Sequence, residues 1–67
     1  MTKVEYPEVV VQLTGNDGNA FAIMGAIKKA MRHHDVPDYR IEQCMDQMMS
    51  GDYDNLLQVA LRWVTVL

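Results

Sequence analysis

The apolar residues of the chain recur with two different periodicities, and the first of these predicts a β-strand. In residues 8–14, Val9, Val11 and Leu13 fall on one face of an extended chain. The opposite face is polar apart from Val10. Alternation with a period of two, together with three successive valines, is typical of a strand that is buried on one side. We expect the apolar face to meet the helices.

Three later segments carry apolar residues at intervals of three and four, which is the spacing of a helix with one buried face. The first stripe comprises Ala20, Ile23, Met24, Ile27, Ala30, Met31 and His34. The second comprises Ile41, Cys44, Met45 and Met48. The third comprises Tyr53, Leu56, Leu57, Ala60, Leu61 and Val64. The pattern therefore predicts three amphipathic helices.

Turn and capping residues mark the boundaries of these helices. Residues 15–19 contain glycine, asparagine and aspartate, which break the strand and provide side-chain oxygens that can cap the first helix. Pro37 is suited to the beginning of the second helix. Gly51 is predicted to end that helix in a left-handed conformation, and Asp52 to cap the third.

The C-terminal residues 63–67 fit either a continued helix or a strand. They are rich in residues with high strand propensity, although Val64 also continues the helical stripe. We predict a helix to about Arg62 and then a short strand. The resulting order is β-α-α-α-β. It describes one small α+β domain over residues 1–67, with residues 1–6 flexible and two short strands packed on three helices.

Such a small sheet has a consequence for assembly. Two short strands are marginally stable alone, and their unpaired edges can bind another chain. An isologous contact between two copies solves both problems. We therefore predict a homodimer whose strands join across an edge.

Charge and composition exclude several classes of function. The chain has 67 residues, six of them basic and nine acidic, for a net charge of −3. Its basic residues are scattered apart from a short group at Lys28, Lys29 and Arg32, which argues against binding to nucleic acid. No apolar run approaches the roughly 18 residues of a membrane span, and no leader follows Met1, so we expect a cytoplasmic protein that does not enter membranes.

The polar loops at residues 15–19 and 50–55 are the candidate functional segments. Both precede helices, where exposed amides favour anions, but the phosphate-binding patterns GxxxxGK[ST] and GxGxxG are absent. Asp17, Asp52 and Asp54 carry hard oxygen ligands of the kind that calcium and magnesium prefer, without the full calcium-loop pattern. A ligand- or metal-ion-binding regulatory module is therefore the alternative function.

Catalytic arrangements are not evident in the sequence. Cys44 lies on an apolar stripe between Glu42 and Asp46, which is typical of a buried thiol rather than a nucleophile. The adjacent His33 and His34 point about 100° apart on a helix and cannot readily share a ligand sphere. A chain of this length also has difficulty enclosing a pocket of about 300 Å³. We expect a non-enzymatic protein without a cofactor.

Two segments carry a resemblance. Residues 13–21 read LTGNDGNAF and residues 50–57 read SGDYDNLL. Together with their spacing, they resemble a group of small bacterial and phage-type proteins that have a GNDGNAF-like loop and an SGDYDxLL-like segment. The likeness extends over about residues 9–64. It implies a bacterial or phage protein and carries no activity with it.

A protein-interaction module acting through an acidic loop face is the predicted function. Acidic charge speeds association with a basic partner, while flexible methionine and aromatic side chains suit adaptable contacts. The candidate interaction face comprises Asn16, Asp17, Asn19, Met49, Asp52, Tyr53, Asp54 and Trp63.

Overall fold

A computed structural model describes residues 4–13 and 19–67 of the chain. Over these residues the elements are β1 (Tyr6–Val11), α1 (Ala20–His33), α2 (Asp38–Met49), α3 (Tyr53–Trp63) and β2 (Val64–Val66). The predicted α+β class and the order β-α-α-α-β are therefore confirmed. The first strand begins two residues earlier than predicted, so Tyr6 belongs to β1 and not to the segment predicted to be flexible. The predicted end of that strand, Thr14, lies outside the described residues.

The two strands pair in parallel and form, within the described ranges, a two-stranded sheet. Val11 lies opposite Val66, and the ladder is irregular between Tyr6 and Val10. The N–H of Leu67 donates to the carbonyl of Val11 at 2.9 Å. Parallel strands need a long crossover connection, which the three helices supply.

Burial follows the predicted faces of the strand and the helices. Val9 and Val11 are buried on the helix side of β1, whereas Val10 is half exposed. The helices contribute buried residues from their apolar stripes: Ile23, Ile27 and Met31 from α1, Ile41, Cys44 and Met48 from α2, and Leu56, Val59, Ala60 and Trp63 from α3. These side chains form one core cluster with both strands.

Three positions on the predicted stripes are wrong, because His34, Tyr53 and Leu61 are exposed. His34 follows the last residue of α1, so it no longer turns with the buried face. Along α3 the buried line runs through Val59, which the predicted stripe omitted, and this rotation directs Leu61 to solvent.

The end of α1 is built around a residue in the left-handed region. Asp35 has a φ of 59°. Its N–H donates to the carbonyl of Arg32, and the N–H of Val36 donates to the carbonyl of Met31, both at 3.0 Å. These two bonds form a Schellman motif, in which the apolar residue after the turn packs back on the helix. Val36 and Met31 are both buried in the core.

The turn between α2 and α3 depends on Gly51, but not for the predicted reason. The backbone of Gly51 lies outside the left-handed region, so that prediction is wrong. A Cβ at this position would approach the Cβ of Asn55 to 2.9 Å. The side chain of Asn55 reaches back over the turn and donates to the carbonyl of Gln47 at 2.9 Å. Glycine is therefore needed here for close approach.

An aromatic pair joins β1 to the end of α3. The rings of Tyr6 and Trp63 are stacked, with centroids 6.2 Å apart and an interplanar angle of 19°. The guanidinium of Arg40 lies over both rings and donates to the hydroxyl of Tyr6 at 3.2 Å. Arg40 also pairs with Glu5 at 3.3 Å. β1, α2 and α3 are thus linked at one side of the core, together with β2, which Trp63 directly precedes.

The helices of residues 4–13 and 19–67 include none with both the length and the apolar character needed to cross a bilayer.

Candidate functional site

The start of α1 lies beside the turn between α2 and α3, and the two segments enclose an open groove of about 260 Å³. We name it the corner groove. It is lined by Ala20, Phe21, Met48, Met49, Gly51, Asp52, Tyr53 and Leu56. The residues that follow the first predicted loop and those of the second are therefore neighbours in space, although about 30 positions separate them along the chain.

The corner groove has a buried floor and an exposed apolar rim. Met48 and Leu56 form its floor and belong to the core. Around it, Phe21 is 81% exposed, Met49 60% and Tyr53 46%. Single exposed apolar residues are ordinary, but three large ones around one groove form a patch of the kind that marks interaction sites.

Capping bonds hold the backbone on both sides of the groove. The side chain of Asn19 accepts from the N–H of Phe21 at 2.8 Å, and the carboxylate of Asp52 accepts from the N–H of Asn55 at 2.9 Å. Both predicted helix caps are thus confirmed. The hydroxyl of Ser50 donates to the carbonyl of Gln47 at 2.6 Å. The apolar rim is therefore carried on two helix starts, at each of which a side chain caps one backbone amide.

The charge of this corner is acidic. Asp52 lines the groove, and Asp54 is exposed in the first turn of α3, where a carboxylate also favours the positive end of the helix dipole. Lysine and arginine are absent from the described residues that line the groove. Among these described residues, the charged side chain that lines the groove is therefore a carboxylate.

Most of the predicted interaction face gathers at this corner. Met49, Asp52 and Tyr53 line the groove. Asn19 caps the helix that carries Phe21 and is exposed, and Asp54 follows Tyr53 and is exposed. Which of these side chains contact a partner stays a prediction.

Trp63 does not belong to this surface, and its predicted place in the face is corrected. Trp63 is 4% exposed, because the ring of Tyr6 and the guanidinium of Arg40 cover its indole. Its Nε1–H donates to the side-chain oxygen of Gln47 at 2.9 Å, which satisfies the polar edge of the buried indole. The predicted members Asn16 and Asp17 lie outside the described residues.

Phe21 is the rim residue that the predicted face omitted. A signal for it exists in the sequence. The buried positions of α1 are Ile23, Ile27 and Met31. Phe21 lies two residues before Ile23, and positions two apart on a helix point in different directions. A large aromatic side chain off the apolar stripe of an amphipathic helix has no place in the core, so it indicates exposed apolar surface.

Metal and thiol chemistry receive no support from the described part of the chain. In residues 4–13 and 19–67, no three His, Cys, Asp or Glu side chains are close enough to hold one ion. Burial raises the pKa of the Cys44 thiol from 9.0 to about 11, against a smaller opposing effect of the Arg40 charge. The thiol is therefore protonated at neutral pH. It contacts the sulfur of Met48 at 3.9 Å, as a small core side chain.

Comparison with known proteins finds no matching family model, no matching curated protein and no matching solved structure. The resemblance of residues 13–21 and 50–57 to small bacterial and phage-type proteins stays a prediction. The function of the corner groove has to be inferred from its own residues.

Proposed function

We propose that the protein is a non-enzymatic interaction module that binds a partner protein through the corner groove. The observation that carries this proposal is the exposure of Phe21, Met49 and Tyr53 around a groove whose floor is the protein core. Protein interfaces combine an apolar centre with a polar rim, and aromatic residues and methionine are enriched in that centre. The corner has both parts, with Asp52 and Asp54 supplying the polar rim.

An apolar side chain of the partner fills the groove. Contact with Met48 and Leu56 places it against the existing core, and Met49 adapts its shape because its side chain is unbranched and flexible. Burial of apolar surface contributes roughly 25 cal/mol per Å², so one large anchoring side chain is worth about 1.5–3 kcal/mol. This favours an interface in which a few anchors supply most of the affinity.

The acidic rim defines the chemistry of the partner. Asp52 and Asp54 attract lysine or arginine beside the apolar anchor, and the net charge of −3 on the whole chain acts in the same direction. We therefore propose a basic peptide or surface patch with an aromatic or aliphatic anchor. Association is fast at low salt and slows as salt screens the charges.

Selection of random dodecapeptides displayed against the full chain tests this proposal. Peptides with a large apolar residue flanked by lysine or arginine are the expected result. The variant Phe21→Ser should weaken their binding about tenfold or more, because a central aromatic anchor is removed. Tyr39→Ser is the matched control, since Tyr39 is 65% exposed on α2 and does not line the groove.

A second pair of variants tests the acidic rim. Asp54→Asn leaves the cap at Asp52 intact, so it should reduce the association rate and its salt dependence while the fold is kept. Asp38→Asn is the control, because Asp38 is also an acidic residue in the first turn of a helix, α2. Equal binding of the selected peptides by the parent chain and Phe21→Ser would show that the corner groove is not the interface.

A homodimer is the oligomeric state we propose, as the two short strands predict. Support comes from the lengths of β1 and β2, six and three residues, and from their two-stranded sheet in the described part of the chain. We propose the outer edge of β2 as the contact, because pairing at the outer edge of β1 would bring the basic α1 helices of the two copies together. Light scattering at high micromolar concentration should give twice the chain mass of 7.7 kDa. A monomer there removes the dimer and leaves the corner groove proposal intact. The cytoplasmic location stays a prediction.

A further inference from the structure

A second groove lies at the other end of α1, between the end of β1 and the C-terminal half of the helix. Its volume is about 360 Å³. We name it the edge groove. It is lined by Val10, Val11, Gln12, Ala26, Lys29, Ala30, His33 and His34. It shares no lining residue with the corner groove, so an inference about it does not depend on the proposed function.

One wall of the edge groove is the side of β1 that faces away from β2. The carbonyl of Val11 and the N–H of Leu13 both bond to Leu67 and so point toward β2. Backbone N–H and carbonyl groups of successive residues in a strand point to opposite sides. The N–H and carbonyl of Val10 are therefore directed away from β2, toward the groove that Val10 lines.

The other wall is one face of α1. Ala26, Lys29, Ala30 and His33 occur at i, i+3, i+4 and i+7, which places them on the same side of the helix. The two alanines are short, so their side chains leave the space between helix and strand open. A strand needs a separation of about 4.8 Å from its neighbour, with its side chains directed above and below. The edge groove has the form of a slot between a strand edge and a helix.

The charge of the edge groove is opposite to that of the corner groove. Lys29 lines it, and Lys28 and Arg32 are exposed on the same helix. Aspartate and glutamate are absent from the described residues that line it. A chain segment that carries carboxylates is therefore electrostatically complementary to this slot.

We propose that the edge groove binds an extended acidic segment of another protein, which adds to β1 as a third strand. Backbone hydrogen bonds to Val10 align the segment, in the manner of strand addition to an exposed sheet edge. Small apolar side chains of the segment pack over Ala26 and Ala30, and its carboxylates pair with Lys29. Alternating apolar and acidic residues meet both requirements, because successive side chains of a strand point to opposite faces and the long side chain of the exposed Lys29 extends past the alanines toward the acidic face.

A second copy of this chain fits the slot less well. Pairing of β1 with β1 about a two-fold axis brings two α1 helices side by side, each with Lys28, Lys29 and Arg32. Like charges then oppose each other across the contact. The segment that a second copy would insert, Tyr6–Val11, also carries a single carboxylate, Glu8. The occupant is therefore a segment of another protein.

The test uses random decapeptides displayed against the full chain, followed by synthesis of the enriched sequences. The expected peptides are rich in aspartate and glutamate at alternate positions and lack proline at their centre, because proline cannot donate to a ladder. In amide correlation spectra they should shift the signals of Val10 and Lys29 and leave that of Tyr53 in place.

Two adjacent lysines provide a matched pair of variants. Lys29→Glu reverses the charge inside the edge groove and should weaken the binding of the acidic peptides about tenfold. Lys28→Glu makes the same change one residue away, outside the lining, and should stay within about twofold of the parent chain. Ala26→Phe fills the slot and should also abolish binding, while circular dichroism reports whether each variant keeps its helices.

Several results would overturn the proposal. No enrichment of acidic peptides that shift the Val10 signal, or a shift of that signal by basic or neutral peptides instead, shows that the slot does not take an acidic strand. Equal weakening by both lysine variants shows a general charge effect. Concentration-dependent shifts of Val10 in the protein alone identify a second copy as the occupant. Peptides that no longer bind Phe21→Ser but still bind Lys29→Glu occupy the corner groove and not the edge groove.

Discussion

The guanidinium carbon of Arg40 lies 4.6 Å from the centroid of the Trp63 ring, so a cation of α2 covers the residue at which α3 passes into β2. A cation over an indole face contributes about 0.5–2 kcal/mol, depending on how far it is desolvated. Arg40 also bonds to Tyr6 and pairs with Glu5, so this one side chain connects α2 to the start of β1.

Removal of this side chain is expected to destabilise the fold. Arg40→Ala should lower the free energy of unfolding by clearly more than Arg62→Ala does, because the stacked rings lose their cover and the hydroxyl of Tyr6 loses its donor. Arg62→Ala should change it by less than about 0.5 kcal/mol, since Arg62 is exposed. Urea denaturation measures both. An equal effect of the two variants would show that the contact with Trp63 contributes nothing specific.

An added methyl group should have opposite effects on stability at Gly25 of α1 and at Gly51 of the α2–α3 turn. Gly51→Ala brings a Cβ to 2.9 Å from that of Asn55 and should destabilise the protein by about 1–3 kcal/mol. Gly25→Ala meets no atom within 4 Å and should stabilise it by about 0.5–1 kcal/mol, because alanine is the better helix former. Thermal and urea unfolding of both variants measure these changes in stability. A Gly51→Ala variant that is more stable than the parent chain would contradict the close approach of residue 51 to Asn55.

Replacement of the left-handed residue after α1 is expected to stabilise the protein. At a φ of 59°, Asp35→Gly should add about 0.5–1 kcal/mol, because glycine has no Cβ to strain this conformation. Asp35→Val should instead cost about 1–2 kcal/mol, since a β-branched residue is least suited to it. Unfolding midpoints in urea test the order glycine, aspartate, valine. Any other order argues against the Schellman end of α1.

Stability should fall at alkaline pH through the single thiol. Below pH 9.0, the ordinary pKa, Cys44 is protonated in both the folded and unfolded chains. Between pH 9.0 and about 11 the unfolded chain releases the proton while the folded chain retains it, so unfolding becomes more favourable. At about 1.4 kcal/mol per pKa unit, this loss is at most about 3 kcal/mol across the window.

The variant Cys44→Ala isolates that contribution. Its lower stability from lost packing is the same at every pH, whereas its alkaline decline should be shallower than that of the parent chain. All other side chains are common to the two proteins, so the comparison isolates the thiol. Parallel stability curves of the two proteins from pH 8 to 11 would show that burial does not hold the thiol protonated.

Local patterns sufficed for the helices and their N-terminal caps. The stripes that contain Ile27, Cys44 and Leu56 turn with the helical period, and neighbours within one or two turns set that period. The caps at Asn19 and Asp52 are equally local, because a short side chain bonds an amide two or three residues ahead. Such features need no knowledge of the rest of the fold.

The candidate site divides in the same way. Its acidic and methionine residues were predictable, since Met49, Asp52 and Tyr53 belong to a turn that the sequence marks clearly. The contribution of Phe21 was not predicted, because it depends on α1 beginning beside that turn. The edge groove depends on α1 passing the outer edge of β1, which no spacing along the chain reports.

The sequence by itself determined the three helices, the first strand and most of their apolar faces, and it left residues 63–67 open between helix and strand. The tertiary structure alone decided that the strands run parallel, that Val59 rather than Leu61 faces the core, and that Trp63 is covered by Tyr6 and Arg40. Periodicity measures contacts within a few residues. Trp63, Arg40 and Tyr6 are distant along the chain, and they come into contact only when the helices have packed together. The contact is favourable because burying the apolar indole surface lowers the free energy relative to leaving it in water.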